Sequence, residues 1–225
     1  MREKTVYTLG ALGTLLLIWN FYTIFVRIPI DALQGDIFRI IFVHVPAAMT
    51  AFTFYGVAVF ASIAFLVTKN FAWDSMAVSA VEVGTMFTLV NLATGSIWAR
   101  VIWGIWWAWD ARLTSALVCW ILYASYLMLR RAIDEPTQRA TFSAVFSIFC
   151  FIDVPIVIFS IKWWRTQHPQ PVFWGGGSIP GGWYAIALWQ LLAMVLLGAV
   201  LTIIRLRDEE SQREIESIRR MAHSF

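Results

Sequence analysis

Apolar residues gather into six long runs, near residues 6 to 26, 46 to 67, 77 to 97, 113 to 129, 141 to 161 and 183 to 204, and the connections between them hold nearly all the charge. Each run approaches the roughly 20 residues that an α-helix needs to cross a hydrocarbon core. The pattern predicts an all-α integral membrane bundle of six transmembrane helices. It forms one domain over residues 1–225, because no segment is both polar and long enough to make a separate soluble unit. The first run follows Met1–Lys4, where a secretory leader would lie. Its length and its lack of a small-residue cleavage site predict a retained anchor instead. Arg205 to Phe225 reads as a short charged helix after the last span.

Composition agrees with a bilayer location. With 60% apolar and 14% charged residues and a mean hydropathy of +0.70, the chain has too little polar surface for a soluble globule of its length. Orientation follows from the basic residues, since cytoplasmic loops carry the excess of Lys and Arg. One side holds eleven: Arg2, Lys4, Lys69, Arg130, Arg131, Arg139, Arg205, Arg207, Arg213, Arg219 and Arg220. The other holds six: Arg27, Arg39, Arg100, Arg112, Lys162 and Arg165. Both termini are therefore expected in the cytoplasm, N-in and C-in. The net charge of +3 then reflects insertion topology and contact with anionic lipid, with no nucleic-acid partner implied.

Cys119 and Cys150 fall inside predicted helices and read as small buried apolar residues, with no disulfide expected. The chain lacks Cys-x-x-Cys-His, so covalent haem attachment is not expected. It also lacks a Walker A sequence and Gly-x-Gly-x-x-Gly, so it carries no sign of binding ATP or a dinucleotide by itself. The Gly175–Gly177 run has no strand before it and reads as loop.

The connection between helices 3 and 4 is unusual. Trp98, Trp103, Trp106, Trp107 and Trp109 are five of the thirteen tryptophans, and Asp110, Arg112 and Thr114 follow them. Indoles favour membrane interfaces, so an aromatic belt is one explanation. A belt should appear on both sides, yet Trp163, Trp164, Trp174 and Trp183 share the outward side and only Trp73 lies on the other. The segment is expected as an outward loop or short interfacial helix. As a helix over residues 101–110 it would set Trp103, Trp107 and Asp110 on one face and Ile102, Trp106 and Trp109 on another. One face can meet lipid while the other offers rings to a flat ligand.

Two of the three histidines, His44 and His168, fall on the same side as these tryptophans, and His223 lies in the charged tail. Two imidazoles can take opposite faces of a haem iron. Zinc or copper usually wants three or four protein ligands, which would require carboxylates such as Asp31, Asp36 or Asp110 to join. Arg39, Arg100 and Arg112 are outward cations that could meet haem propionates or snorkel to headgroups. Asp110 could cap helix 4 or hold Arg112. Within the spans, Glu82, Asn91 and Asp153 are the polar residues that require an explanation. Pro155 should kink helix 5 beside Asp153, and a structural role for these three is preferred over a translocation path.

These residues carry a family resemblance. Trp98 and the stretch Trp103-Gly104-Ile105-Trp106-Trp107-Ala108-Trp109-Asp110-Ala111-Arg112-Leu113-Thr114 resemble the tryptophan-rich WWD signature of haem-handling membrane proteins. Arg39 to Ala48, around His44, and Trp163 to His168 narrow the likeness to the CcmC family of cytochrome c maturation proteins, over nearly the whole chain. The family often has Gly-Lys-Pro where this chain has Ala99-Arg100-Val101, and a neutral polar residue where it has Asp153. The resemblance implies non-covalent haem b, held on the periplasmic side of a bacterial inner membrane. His44 and His168 would be axial ligands, the five tryptophans and Asp110 would form the platform, and Arg39 and Arg112 would be neighbouring charges. It further implies transfer to the haem chaperone CcmE, with CcmD and the ABC transporter of CcmA and CcmB as partners. The role is haem binding and transfer, with no ATPase activity of its own. Two rival functions stand beside it: a transporter moving haem or another solute through its own bundle, and a purely structural membrane subunit.

Overall fold

The computed structural model describes residues 3–171, 179 and 183–223. Arg2, Trp174, the Gly175–Gly177 run and the side chain of His223 lie outside them. Helix α1 spans Glu3–Tyr22 and widens into a π turn over Thr23–Arg27. A 3-10 turn, Asp36–Ile40, leads without a break into α2, Ile41–Thr68. Then come α3 (Phe71–Trp103), α4 (Ala111–Ala132), α5 (Pro136–Phe151), α6 (Asp153–Trp163) and α7 (Tyr184–His223). With α5 and α6 counted as one span, six helical segments are long and apolar enough to cross a membrane, as the hydropathy pattern predicts.

Local chemistry sets the turns. Lys69 takes the left-handed conformation that ends α2, its N–H returning to the Phe65 carbonyl at 2.8 Å, and the Asn70 side chain caps α3 by accepting from Ala72 N at 3.0 Å. This two-residue turn forces α2 and α3 into an antiparallel pair. Pro155 lacks an N–H for the turn before it, and the helix breaks at Ile152, where the Ile152 N–H tightens onto the Phe149 carbonyl at 3.1 Å. Asp153 begins α6 buried, with the Cys119 thiol in hydrogen-bonding reach and Oδ2 without a partner.

The core lies where α2, α3, α4 and the α5–α6 span meet. At its centre the Tyr55 and Tyr123 rings stack face to face, 3.5 Å apart and within 3° of parallel, among Val81, Val157 and the free, buried Cys119 and Cys150. Helix α1 packs on α7, with Gly13 against Leu196 and Leu197. Its exposed Leu12, Leu15 and Trp19 suit a lipid-facing surface.

One element departs from its predicted bounds. Arg205 to His223 is not a separate helix but the continuous end of α7. No Gly or Pro follows Gly198 to interrupt it. Glu209–Arg213 and Glu216–Arg220 pairs one turn apart support the extension, at 3.4 and 4.0 Å.

Candidate functional site

His44 and His168 sit at the same end of the bundle, across a cleft. The turn at Lys69 and Asn70 determines what faces His44. Residue 44 lies twenty-five positions before Lys69, and Gly95 lies twenty-five after Asn70, so the two are opposite each other across the helix pair. Gly95 is required there, because a Cβ would come within 2.9 Å of His44 Cε1. On the same stripe of α3, Thr94 Oγ1 lies 3.1 Å from His44 Nδ1, and Asn91 Nδ2 donates to the His44 carbonyl at 3.0 Å.

Two turns of helix after Asn91, the tryptophan segment opens. Trp98 and Trp103 belong to the last turns of α3 and meet edge to face, with centroids 5.1 Å apart. Trp98 Nε1 donates to Gln34 Oε1 at 2.9 Å, which ties the ring to the loop before α2. Gly104 then takes φ +76°, and residues 104–110 form the loop alternative rather than a short helix. Ser96 Oγ pins this loop by donating to the Trp106 carbonyl at 2.8 Å, and Arg100 donates to the Gly104 carbonyl.

Asp110 organises the second wall. One carboxylate oxygen caps α4 by accepting from Leu113 N at 2.9 Å. The other accepts from Thr166 Oγ1 at 2.5 Å and Gln167 N at 3.1 Å. Thr166 Oγ1 in turn accepts from His168 N at 3.0 Å, and His168 Nδ1 contacts the Pro169 carbonyl at 2.8 Å. Arg112, in the first turn of α4, donates to the Val157 carbonyl just beyond the break between α5 and α6. Burial and then the Arg112 charge push the His168 pKa down to about 4, against the Pro169 carbonyl and Asp110, which raise it. The ring is therefore neutral at physiological pH and able to bind a metal.

Of the residues singled out from sequence, His44, His168, Trp98, Trp103, Trp107 and Arg112 all line one cleft. Trp106 and Trp109 do not; they are 58% and 78% exposed on the rim. Asp110 acts behind the wall. Arg39 pairs with Asp36 and donates to the Ile28 carbonyl at 2.9 Å, bracing the turn that leads into α2. Glu82 is remote, bound to Arg205 at 2.5 and 3.0 Å. Sequence reasoning passed over Asn91 as a site residue and did not name Gln34, Thr94 or Gly95. The helical spacing of Asn91, Thr94, Gly95 and Trp98, together with the symmetric register about the α2–α3 turn, would have found them. Among the described residues, no group of three or more His, Cys, Asp or Glu side chains converges as for a metal ion.

The family model described as Heme exporter protein C matches residues 1–221. The chain is 37% identical to Heme exporter protein C of Bradyrhizobium diazoefficiens over 198 residues, covering 87% of this chain and 75% of that one. It is 34% identical to the Escherichia coli K12 protein of the same name over 185 residues, 80% of this chain and 73% of that one. The Paracoccus denitrificans protein of that name is 30% identical over 205 residues, 90% of this chain and 83% of its own. With a match across almost its full length, the chain belongs to the Heme exporter protein C family.

Proposed function

We propose that this protein binds haem b in the cleft between His44 and His168 and presents it to the haem chaperone CcmE during c-type cytochrome biogenesis. The observation that carries this reading is the placement of the two imidazoles, whose ring centroids lie 6.2 Å apart with planes tilted by 32°. A metal–imidazole bond is about 2 Å long, and adding roughly 1 Å from each nitrogen to its ring centre, one ion held from both sides spaces the centroids by about 6 Å. The spacing therefore suits a single iron between the rings. Trp98, Trp103 and Trp107 supply apolar walls for a macrocycle, and Arg112 supplies a cation for a propionate. Trp106 and Trp109, exposed at the rim, are placed to touch lipid or an arriving partner.

His44 and His168 would hold haem through its iron, and the chemistry the group would supply to the chaperone is a reactive vinyl. The protein's own residues hold and orient. Below the cleft the Tyr55–Tyr123 stack and the surrounding core close the bundle, which favours a surface cleft over a route through the interior. The excess of basic residues at the opposite end supports a cytoplasmic location for that end and a periplasmic one for the cleft. CcmD and the transporter formed by CcmA and CcmB are the membrane partners in this reading, and their ATPase supplies the energy.

Absorption spectra of the purified protein test the binding step. The wild type is expected to show a six-coordinate, low-spin haem, and His44→Ala and His168→Ala each to lose an axial ligand or the haem itself. A spectrum unchanged by both substitutions would sink the assignment. For the transfer step, co-expression should yield haem-loaded CcmE, and undiminished loading by both alanine variants counts against it.

A further inference from the structure

We infer that Thr94 is a positioning residue that keeps the proton of His44 on Nδ1, so that Nε2 is the nitrogen presented to iron. The inference rests on the haem reading above. The Thr94 hydroxyl has one proton and lies 2.7 Å from the Val90 carbonyl and 3.0 Å from the Asn91 carbonyl. Carbonyl oxygens only accept, so that proton is committed to the backbone of α3. Toward His44 Nδ1, 3.1 Å away, the hydroxyl oxygen has only a lone pair to offer. Nδ1 must therefore be the N–H of the ring, which leaves the lone pair on Nε2.

Asn91 does not disturb this assignment. Its Nδ2 lies 3.3 Å from both ring nitrogens and so favours neither tautomer, while its shorter bond, at 3.0 Å, goes to the His44 carbonyl. The ring is also lodged against α3, where Gly95 leaves it space that a Cβ would take away.

The facing wall reaches the same state by a different route. His168 Nδ1 lies 2.8 Å from the Pro169 carbonyl, which can only accept, so this ring too is protonated on Nδ1 and free at Nε2. The cleft thus holds a matched pair of Nε2 donors, one set by a helix hydroxyl and the other by a loop carbonyl. Such outer hydrogen bonds fix the tautomer and the ring orientation and raise the basicity of the ligating nitrogen.

The test uses the full chain in detergent, loaded with haem, as wild type, Thr94→Val and Thr94→Ser. Valine keeps the shape and removes the lone pair, whereas serine keeps the hydroxyl. Thr94→Val is expected to release haem to apomyoglobin on the order of 10-fold faster or more. It should also lose part of the six-coordinate spectrum and shift the midpoint potential upward, and Thr94→Ser should restore all three. Should Thr94→Val fold poorly, His44→Gly filled with exogenous ligand gives a second measurement. Imidazole should restore the six-coordinate spectrum better than 1-methylimidazole, which has no N–H for Thr94 to accept. Wild-type release and spectrum in Thr94→Val, with His44→Ala still losing haem, would overturn the role of Thr94 and leave the haem reading standing. Equal rescue by the two imidazoles would overturn it as well. If His44→Ala and His168→Ala both keep the wild-type spectrum, the haem reading fails and the inference falls with it.

Discussion

The two ends of the bundle use polar groups in opposite ways. Away from the cleft, charges are paired: Asp74, 2% exposed, receives both forks of Arg130 at 2.7 and 3.1 Å and a further bond from Arg213. Glu209 completes the four-membered set from α7, 3.2 Å from Arg130 and 3.4 Å from Arg213. The two carboxylates and two guanidiniums cancel in charge. Arg139–Glu216 at 3.0 Å and Arg205–Glu82 at 2.5 Å extend the lacing to α5 and along α3. At the cleft, by contrast, the polar groups are mostly neutral, the histidines take backbone or hydroxyl partners, and Trp107 Nε1 is buried without a partner. One end clamps α3, α4, α5 and α7 together, and the other keeps imidazoles, indoles and a guanidinium available to a ligand.

The most forceful way to break this contrast is Asp74→Ala. Buried Arg130 and half-buried Arg213 then lose their shared carboxylate, and removal of one member of a buried pair costs about 3–5 kcal/mol. The variant should unfold at markedly lower temperature or denaturant concentration in detergent. Its folded fraction should show an unaltered haem spectrum, because no member of the network reaches the cleft. A changed spectrum at unchanged stability would show that the ends are not separable.

Asp110→Ala should reverse the pattern. It removes the cap of α4, worth about 1 kcal/mol, and with it the tether that holds Thr166 and Gln167 in front of His168. Stability should fall by much less than in Asp74→Ala, while haem dissociates faster because His168 is no longer held in place. Measuring unfolding and haem release on the same samples decides the matter. A variant destabilised like Asp74→Ala but with wild-type haem release would place Asp110 with the structural end.

This contrast also explains how far the sequence could be read. The spans were legible because about 20 apolar residues outweigh local detail, and the break near Asp153 because Pro155 removes a specific donor. The continuation of α7 past Arg205 was not, since charge after an apolar run reads as the end of a span until Asp74, Arg130 and Arg139 are seen to receive it. At the cleft, His44, His168 and the tryptophans stood out by residue type and sidedness. Asn91 and Thr94 did not, because their meaning depends on a register set by a turn more than twenty residues away. The five tryptophans looked equivalent in sequence, and only the end of α3 at Gly104 and the path of the loop after it distinguish Trp98, Trp103 and Trp107, which line the cleft, from the exposed Trp106 and Trp109.

The smallest expected effect sharpens the comparison through pH at the charged end. Glu135 caps α5, accepting from Thr137 N at 2.9 Å and Gln138 N at 2.5 Å, with Pro136 at the first helical position. Those two backbone bonds, in that order, hold its carboxyl below the ordinary value of 4.5, with a lesser contribution from the Arg220 charge. A carboxylate whose pKa is lowered on folding stabilises the folded state above its unfolded value, and the contribution disappears as pH falls through the folded one. Glu135→Gln should therefore be slightly less stable than wild type at pH 7, and the gap should close below about pH 4.5, the side chain's ordinary value. Unfolding curves for both proteins between pH 7 and the acid limb, in one detergent, provide the check. A gap that is the same at both ends of that range would mean that the cap acts by shape alone, without its charge.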